Sequence, residues 1–123
     1  MRIISVNKLK EYWEKHPETM IPLSEWYVKV GKARWKSFND MKQDFNSVDY
    51  VGNQRYVFNI KGNSFRLVVA VKFTPQVVYI RFVGTHNEYD KIDVKSFSYG
   101  KDKEQGNVRS DNDADRRVVR QYR

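Results

Sequence analysis

The chain has 123 residues, with 23 Lys plus Arg against 15 Asp plus Glu and no cysteine. That length supports one compact domain around one modest core, and the lack of cysteine excludes disulfides and thiolate metal sites. With only two histidines besides, no metal or other cofactor is expected, and the net charge of +8 points to an anionic partner such as nucleic acid.

No apolar run at the N-terminus, MRIISVNKLK, has the length of a secretory signal core, and no stretch approaches a membrane span. The expected location is therefore the cytoplasm. MRII reads as a short edge strand. Ser5 is a candidate N-cap for a first helix, in which Val6, Leu9 and Trp13 keep three-to-four spacing up to Pro17. Pro22 opens a second helix with Leu23, Trp26, Tyr27 and Val30 on one stripe, stopped by Gly31. Phe38, Met41 and Phe45 mark a short third one. These stripes are core material, and His16, beside Pro17, is a helix-terminus residue.

From Arg55 the period changes from 3.6 to 2. The runs RYVFNIK, SFRLVVAVKFT and VVYIRFV predict an antiparallel meander with turns at Gly62-Asn63 and Pro75-Gln76. The first turn pairs Asn59 with Arg66, and the second pairs Ala70 with Arg81 and Val69 with Phe82. In that register Tyr56, Phe58, Ile60, Phe65, Leu67, Val69, Val71, Phe73, Val78, Ile80 and Phe82 share a face that buries itself against the helices. The other face carries Asn59, Lys61, Arg66, Lys72, Tyr79 and Arg81, interrupted by Val57, Val68, Ala70 and Val83. Extending the register sets Thr85 opposite Arg66. The fold class is thus α+β, with N-terminal helices on a small, mainly antiparallel sheet. One domain spans residues 1–98; residues 99–123 form a polar, mixed-charge extension expected to be mobile. Its stretch from Lys101 onward holds seven basic and five acidic residues, which leaves a net +6 of the +8 for the first hundred residues.

The last strand runs straight into THNEYDK, which delivers an imidazole, a phenol and an ammonium beside two arginines. Metal-free RNA cleavage needs those groups: a base for the ribose 2′-OH, cations for the phosphate, and an acid for the leaving 5′-oxygen. Arg66 and Arg81 suit the phosphate, since a guanidinium fork holds two oxygens at once. His86 carries the side chain that ordinarily titrates near neutrality, and Tyr89 offers a phenol or a stacking surface. Lys61 adds charge. Each has a plainer reading: Arg66 and Arg81 paired with Glu88 and Asp90, Lys72 merely solvated, and Thr85 with Glu88 forming a capping box that packs Tyr89 on the sheet.

The stretch YVFNIKGNSFRLVVAV followed by VVYIRFVGTHNEYDKID closely resembles the HigB-type toxins of the RelE-like superfamily. The resemblance spans about Arg2 to Ser98. It is carried by N-x-x-G-N-x-x-R, formed by Asn59, Gly62, Asn63 and Arg66, and by T-H-x-E-Y-D, formed by Thr85, His86, Glu88, Tyr89 and Asp90. It implies a RelE-like fold and a ribosome-dependent, metal-independent mRNA interferase acting in the ribosomal A site through the ribose 2′-OH. A cognate HigA-type helix-turn-helix antitoxin is the implied protein partner. The implied catalytic set is Arg66, Arg81, His86 and Tyr89, with Asn59, Lys61 and Lys91 holding RNA. Two other classes share the basic face: a non-catalytic RNA- or ribosome-binding module, and a subunit that docks an acidic protein.

Overall fold

A computed structural model describes residues 1–97. The elements follow as β1 (Arg2–Ile4), α1 (Asn7–Lys15), a single 3-10 turn at Pro17–Thr19, α2 (Met20–Lys32), α3 (Phe38–Asp44), β2 (Asp49–Gly52), β3 (Arg55–Ile60), β4 (Phe65–Lys72), β5 (Val77–Thr85) and α4 (His86–Tyr89). They build one five-stranded sheet in the order β1-β5-β4-β3-β2, in which only β1 and β5 pair in parallel. This is the α+β architecture expected. Among the described residues no helix is long and apolar enough to cross a membrane. The polar extension expected from residue 99 lies outside the described residues.

Helix stripes and strand alternation meet in one core on one face of the sheet. Leu9, Leu23, Trp26, Val30, Trp35 and Met41 from the helical layer are buried against Phe58, Leu67, Val69, Val78 and Ile80. Trp26 and Trp35 each lie against Phe58, the first edge-on at 5.5 Å between ring centroids. His16 caps α1 as expected and stacks on Tyr12.

The helix boundaries differ from the sequence reading in three places. Ser5 is not a side-chain cap: it has φ 71°, Val6 is the N-cap, and backbone bonds from Lys8 and Leu9 to Ser5 and Val6 close the first turn. Helix α2 begins two residues before Pro22, which the first turn tolerates because its missing N–H would have had no partner there. It also runs one residue past Gly31, ending in an extended Ala33. Strand β2 carries no readable signal, being four residues long with Tyr50 54 % exposed and its pairing to β3 broken by an irregularity.

The β3–β4 register is as expected, with Asn59 opposite Arg66 and Phe58 opposite Leu67. The connection is a four-residue loop, Lys61 to Ser64, in which Lys61 and Gly62 both take positive φ. The β4–β5 register is not as expected. Its connection is centred one residue earlier, so Ala70 faces Tyr79 and Val69 faces Ile80. A bulge then inserts Arg81 between the pairs Val69–Ile80 and Val68–Phe82, and Arg66 faces Gly84 while Thr85 faces Phe65. One extra residue exchanges the faces of everything beyond it. Val83 therefore enters the main core, and Phe82, assigned to that core from the sequence, points the other way.

The second face is accordingly not an open basic surface. Val57, Val68 and Phe82 form a separate buried cluster there, covered by Tyr89, Ile92, Val94 and Phe97. Chain segment 89–97 is thus a strap across the sheet. Arg55, only 8 % exposed, fastens it by donating from Nη1 to the carbonyls of Val94 (3.1 Å) and Phe97, while Asn53 donates to the Lys95 carbonyl at 2.6 Å.

Candidate active site

The loop Lys61–Ser64 and the start of α4 meet at one end of the second face. Ser64 accepts the backbone N–H of His86 at 3.1 Å, which pins the helix start to the loop. Thr85 and Glu88 form the capping box expected of their spacing. The Thr85 hydroxyl accepts from the Glu88 N–H at 3.1 Å, and the Glu88 carboxylate accepts from the Thr85 N–H at 2.8 Å. Gly84 leaves room for this arrangement, because a Cβ there would come within 2.6 Å of both Glu88 Oε1 and Phe82 Cζ.

Arg66, half-buried on β4, donates from Nη1 to the Asn63 carbonyl at 2.8 Å and to its neighbour Phe65 at 3.3 Å. Asn59, directly opposite, donates from Nδ2 to Asn63 Oδ1 at 3.2 Å. These bonds orient the guanidinium from one side and leave its other donors for an anion. Neither Arg66 nor Arg81 is in an ion pair with Glu88 or Asp90 among the described residues.

His86 is exposed at the first position of α4, and Tyr89 lies one turn further on. Tyr89 is half-buried, its ring 6.5 Å from that of Phe82. Burial pushes its phenol above the usual tyrosine range; Arg66 pulls the other way, and Asp90 and Asp49 push it up again. The Tyr89 hydroxyl therefore stands in the field of Arg66 and keeps its proton at neutral pH. Lys61 is exposed on the loop and Lys91 is exposed just after α4, its N–H bonded to the Glu88 carbonyl. Six of the seven residues expected to form the site, all but Arg81, are thus placed around one loop and one helix start. Chemically this is a cation, an imidazole and a protonated phenol, the set a metal-free phosphodiester cleavage requires. Among the described residues no three His, Cys, Asp or Glu side chains gather as metal ligands.

Arg81 is placed elsewhere. It occupies the bulge, three residues along β5 from the partner of Arg66, about 10 Å by strand rise. Phe82 and Val68 lie between. Its guanidinium carbon sits 5.1 Å above the centre of the Tyr79 ring, and its Nε is buried without a hydrogen-bond partner among the described residues. Arg55 is close enough that burial, helped by Arg81, pushes its own pKa down to about 10, with Asp93 opposing. Sequence reasoning missed the structural role of Arg55. Its carbonyl partners lie 39 and 42 residues away, and nothing local announces them.

Comparison with known proteins shows the family. Residues 19–92 match the family model described as HigB_toxin, RelE-like toxic component of a toxin–antitoxin system. The chain is 38 % identical over 93 residues to the mRNA interferase toxin HigB of Escherichia coli strain K12, covering 73 % of this chain and 88 % of that one. An mRNA interferase HigB of Shigella flexneri matches with the same figures. That of Escherichia coli O6:H1 is 26 % identical over 94 residues, 75 % of this chain and 91 % of its own.

Proposed function

The chain belongs to the HigB family of RelE-like toxins, the toxic components of toxin–antitoxin systems, and from that premise we propose that it is an endoribonuclease that cuts mRNA on the ribosome. The substrate strand is read in the A site, and the attacking group is the ribose 2′-oxygen. The observation that carries this reading is the meeting of Arg66, His86 and Tyr89 at the loop Lys61–Ser64. His86, exposed and fixed by its backbone, takes the proton from the 2′-OH. The 2′-oxygen then bonds to phosphorus as the bond to the 5′-oxygen breaks. Arg66 holds the charge that builds on the phosphate oxygens, and Tyr89, which retains its proton, passes it to the departing 5′-oxygen. Asn59, Lys61 and Lys91 hold the strand on either side. The protein partner of the resting cell is a HigA-type helix-turn-helix antitoxin, and the compartment is the cytoplasm.

The test is induction of the chain without its partner, followed by growth measurement and mapping of mRNA ends. The expected result is arrest, with translation-dependent cuts that leave a 5′-hydroxyl downstream and a 2′,3′-cyclic or 3′-phosphate upstream. A 5′-phosphate at the cuts, as water activated by a metal leaves, would sink the mechanism.

A further inference from the structure

The bulge that removes Arg81 from the loop places it beside a second set of groups. Across four strands, Ile4, Tyr79, Ala70 and Arg55 stand opposite one another in a single row. The first three are half-buried, so this part of the second face is left partly open by the 89–97 strap. The next row toward the Phe73–Gln76 connection sets Arg2 and Lys72, both exposed, on either side of Val77. Arg81 lies on the opposite flank of Tyr79, its guanidinium carbon 5.1 Å from the ring centre. One cation thus lies over the tyrosine ring and two more stand in the next row of the sheet.

This cluster is electrostatically incomplete. Arg55 gives its Nη1 to two strap carbonyls, Arg81 adds a second charge next to it, and Asp93 opposes them. Among the described residues none of Arg2, Lys72 and Arg81 is in an ion pair. A guanidinium held over an aromatic ring can present a face to a base and an edge to a phosphate, and a small residue such as Ala70 takes little room beside it.

We propose that Arg81 and Tyr79, rimmed by Arg2 and Lys72, form a second RNA subsite that holds a nucleotide of the single strand about 10 Å from the phosphate at Arg66. It rests on the reading of the chain as an RNA-cleaving toxin, and it gives Arg81 a binding role in place of a catalytic one. The strand then passes from the Lys61–Ser64 loop to the Phe73–Gln76 end around the 89–97 strap, which covers Phe82. Specificity for unpaired RNA follows, since a base can lie on Arg81 only when it is free of a duplex.

The probe is a fluorescent 2′-O-methyl RNA oligonucleotide, which lacks the attacking hydroxyl and so reports binding whether or not the protein is a nuclease. Arg81→Ala should weaken its binding about fivefold to tenfold and reduce the slope of log affinity against log salt by about one. Tyr79→Ala should weaken it by a similar factor with the slope unchanged, because stacking releases no counterion. Lys10→Ala, which removes one exposed charge from α1 in the helical layer, should bind as the wild type does. If Arg81→Ala does not fold, Lys72→Gln, which likewise removes one charge at its exposed site, must lower affinity and reduce the slope by about one. Unchanged binding by both Arg81→Ala and Tyr79→Ala overturns the subsite, as does an equal loss from Lys10→Ala. It is also overturned if Arg81→Ala binds the probe normally yet cuts a saturating mRNA substrate slowly, since Arg81 would then act at the reacting phosphate. A wild type that binds the probe with these variant effects but never cuts mRNA leaves the subsite standing and removes the catalytic reading.

Discussion

Tyr89 combines two roles, packing on Phe82 and holding a proton near Arg66. Tyr89→Phe keeps the ring and loses the proton. Cleavage should fall roughly a hundredfold or more while thermal unfolding near neutral pH changes little, and a variant that cuts at the wild-type rate would remove Tyr89 from the chemistry. The same residue predicts a pH signature in stability. Its folded pKa is raised, so the stability it contributes is complete below the ordinary tyrosine pKa near 10 and is lost as pH rises through the higher folded value. The gap in stability between the wild type and Tyr89→Phe should therefore shift against the wild type in strongly alkaline buffer, and a gap constant with pH would contradict the shift. Arg55 acts with the opposite sign. Its folded pKa is lowered to about 10, so folding carries a penalty for its charge at neutral pH that fades as pH rises through that value. At His86, His86→Gln should stop cleavage without unfolding the chain, because what fixes the residue is its backbone N–H on Ser64. Arg66, His86 and Tyr89 were legible because their motif positions are close in sequence to the strands that carry them. Arg81 was legible as a basic residue but not in place, since a face assignment by alternation fails at the first inserted residue.

At the scale of elements, the three long strands and the helical stripes were readable because period and length agree over six to thirteen residues. Strand β2 and the bulge were not, for a common reason. Each depends on what the neighbouring strand offers: β2 has one partner and little to bury, and the bulge lets Phe82 fill the second cluster while Val83 fills the first. Helix α4 is the counterexample. It has four residues, too few for a periodic signal, yet Thr85 and Glu88 announce it by the capping box alone. That box depends on Gly84. Gly84→Ala would drive a methyl group into Glu88 Oε1 and the Phe82 ring, so either the carboxylate leaves the Thr85 N–H or β5 moves. The expected loss is about 1–3 kcal/mol of stability, with a larger fall in cleavage than in fold because His86 follows the cap. Thr85→Ala, which removes the cap without a clash, should cost about 1 kcal/mol and lower cleavage in the same direction. Denaturant unfolding alongside a cleavage assay distinguishes the two. Wild-type activity in Gly84→Ala would mean that the start of α4 does not position His86.

The whole molecule is a sheet with two covered faces of unequal strength. One is sealed by three helices around a large core; the other is closed by a nine-residue strap over three buried side chains, fastened at Asn53 and Arg55. The strap begins at Tyr89, so the fastening and the candidate chemistry are mechanically linked. Replacing a buried arginine by a small residue leaves its carbonyl partners unsatisfied, a loss of about 1–3 kcal/mol for each such group. Arg55→Ala should therefore release the strap before the main core, which has its own helices to hold it. Limited proteolysis should then cut first between residues 89 and 97, while the fragment that keeps α1 to β5 stays resistant. Cleavage of RNA should fall with the strap, because Tyr89 loses its place on Phe82 although no group that touches the substrate has been changed. Arg55→Lys keeps a charge and a multi-donor nitrogen, as Nη1 alone makes both bonds, but places it differently on a flexible stem, so it should restore the strap only in part. Global unfolding of Arg55→Ala in a single step, with no preferred cut in the strap, would show instead that both faces of the sheet stand or fall together.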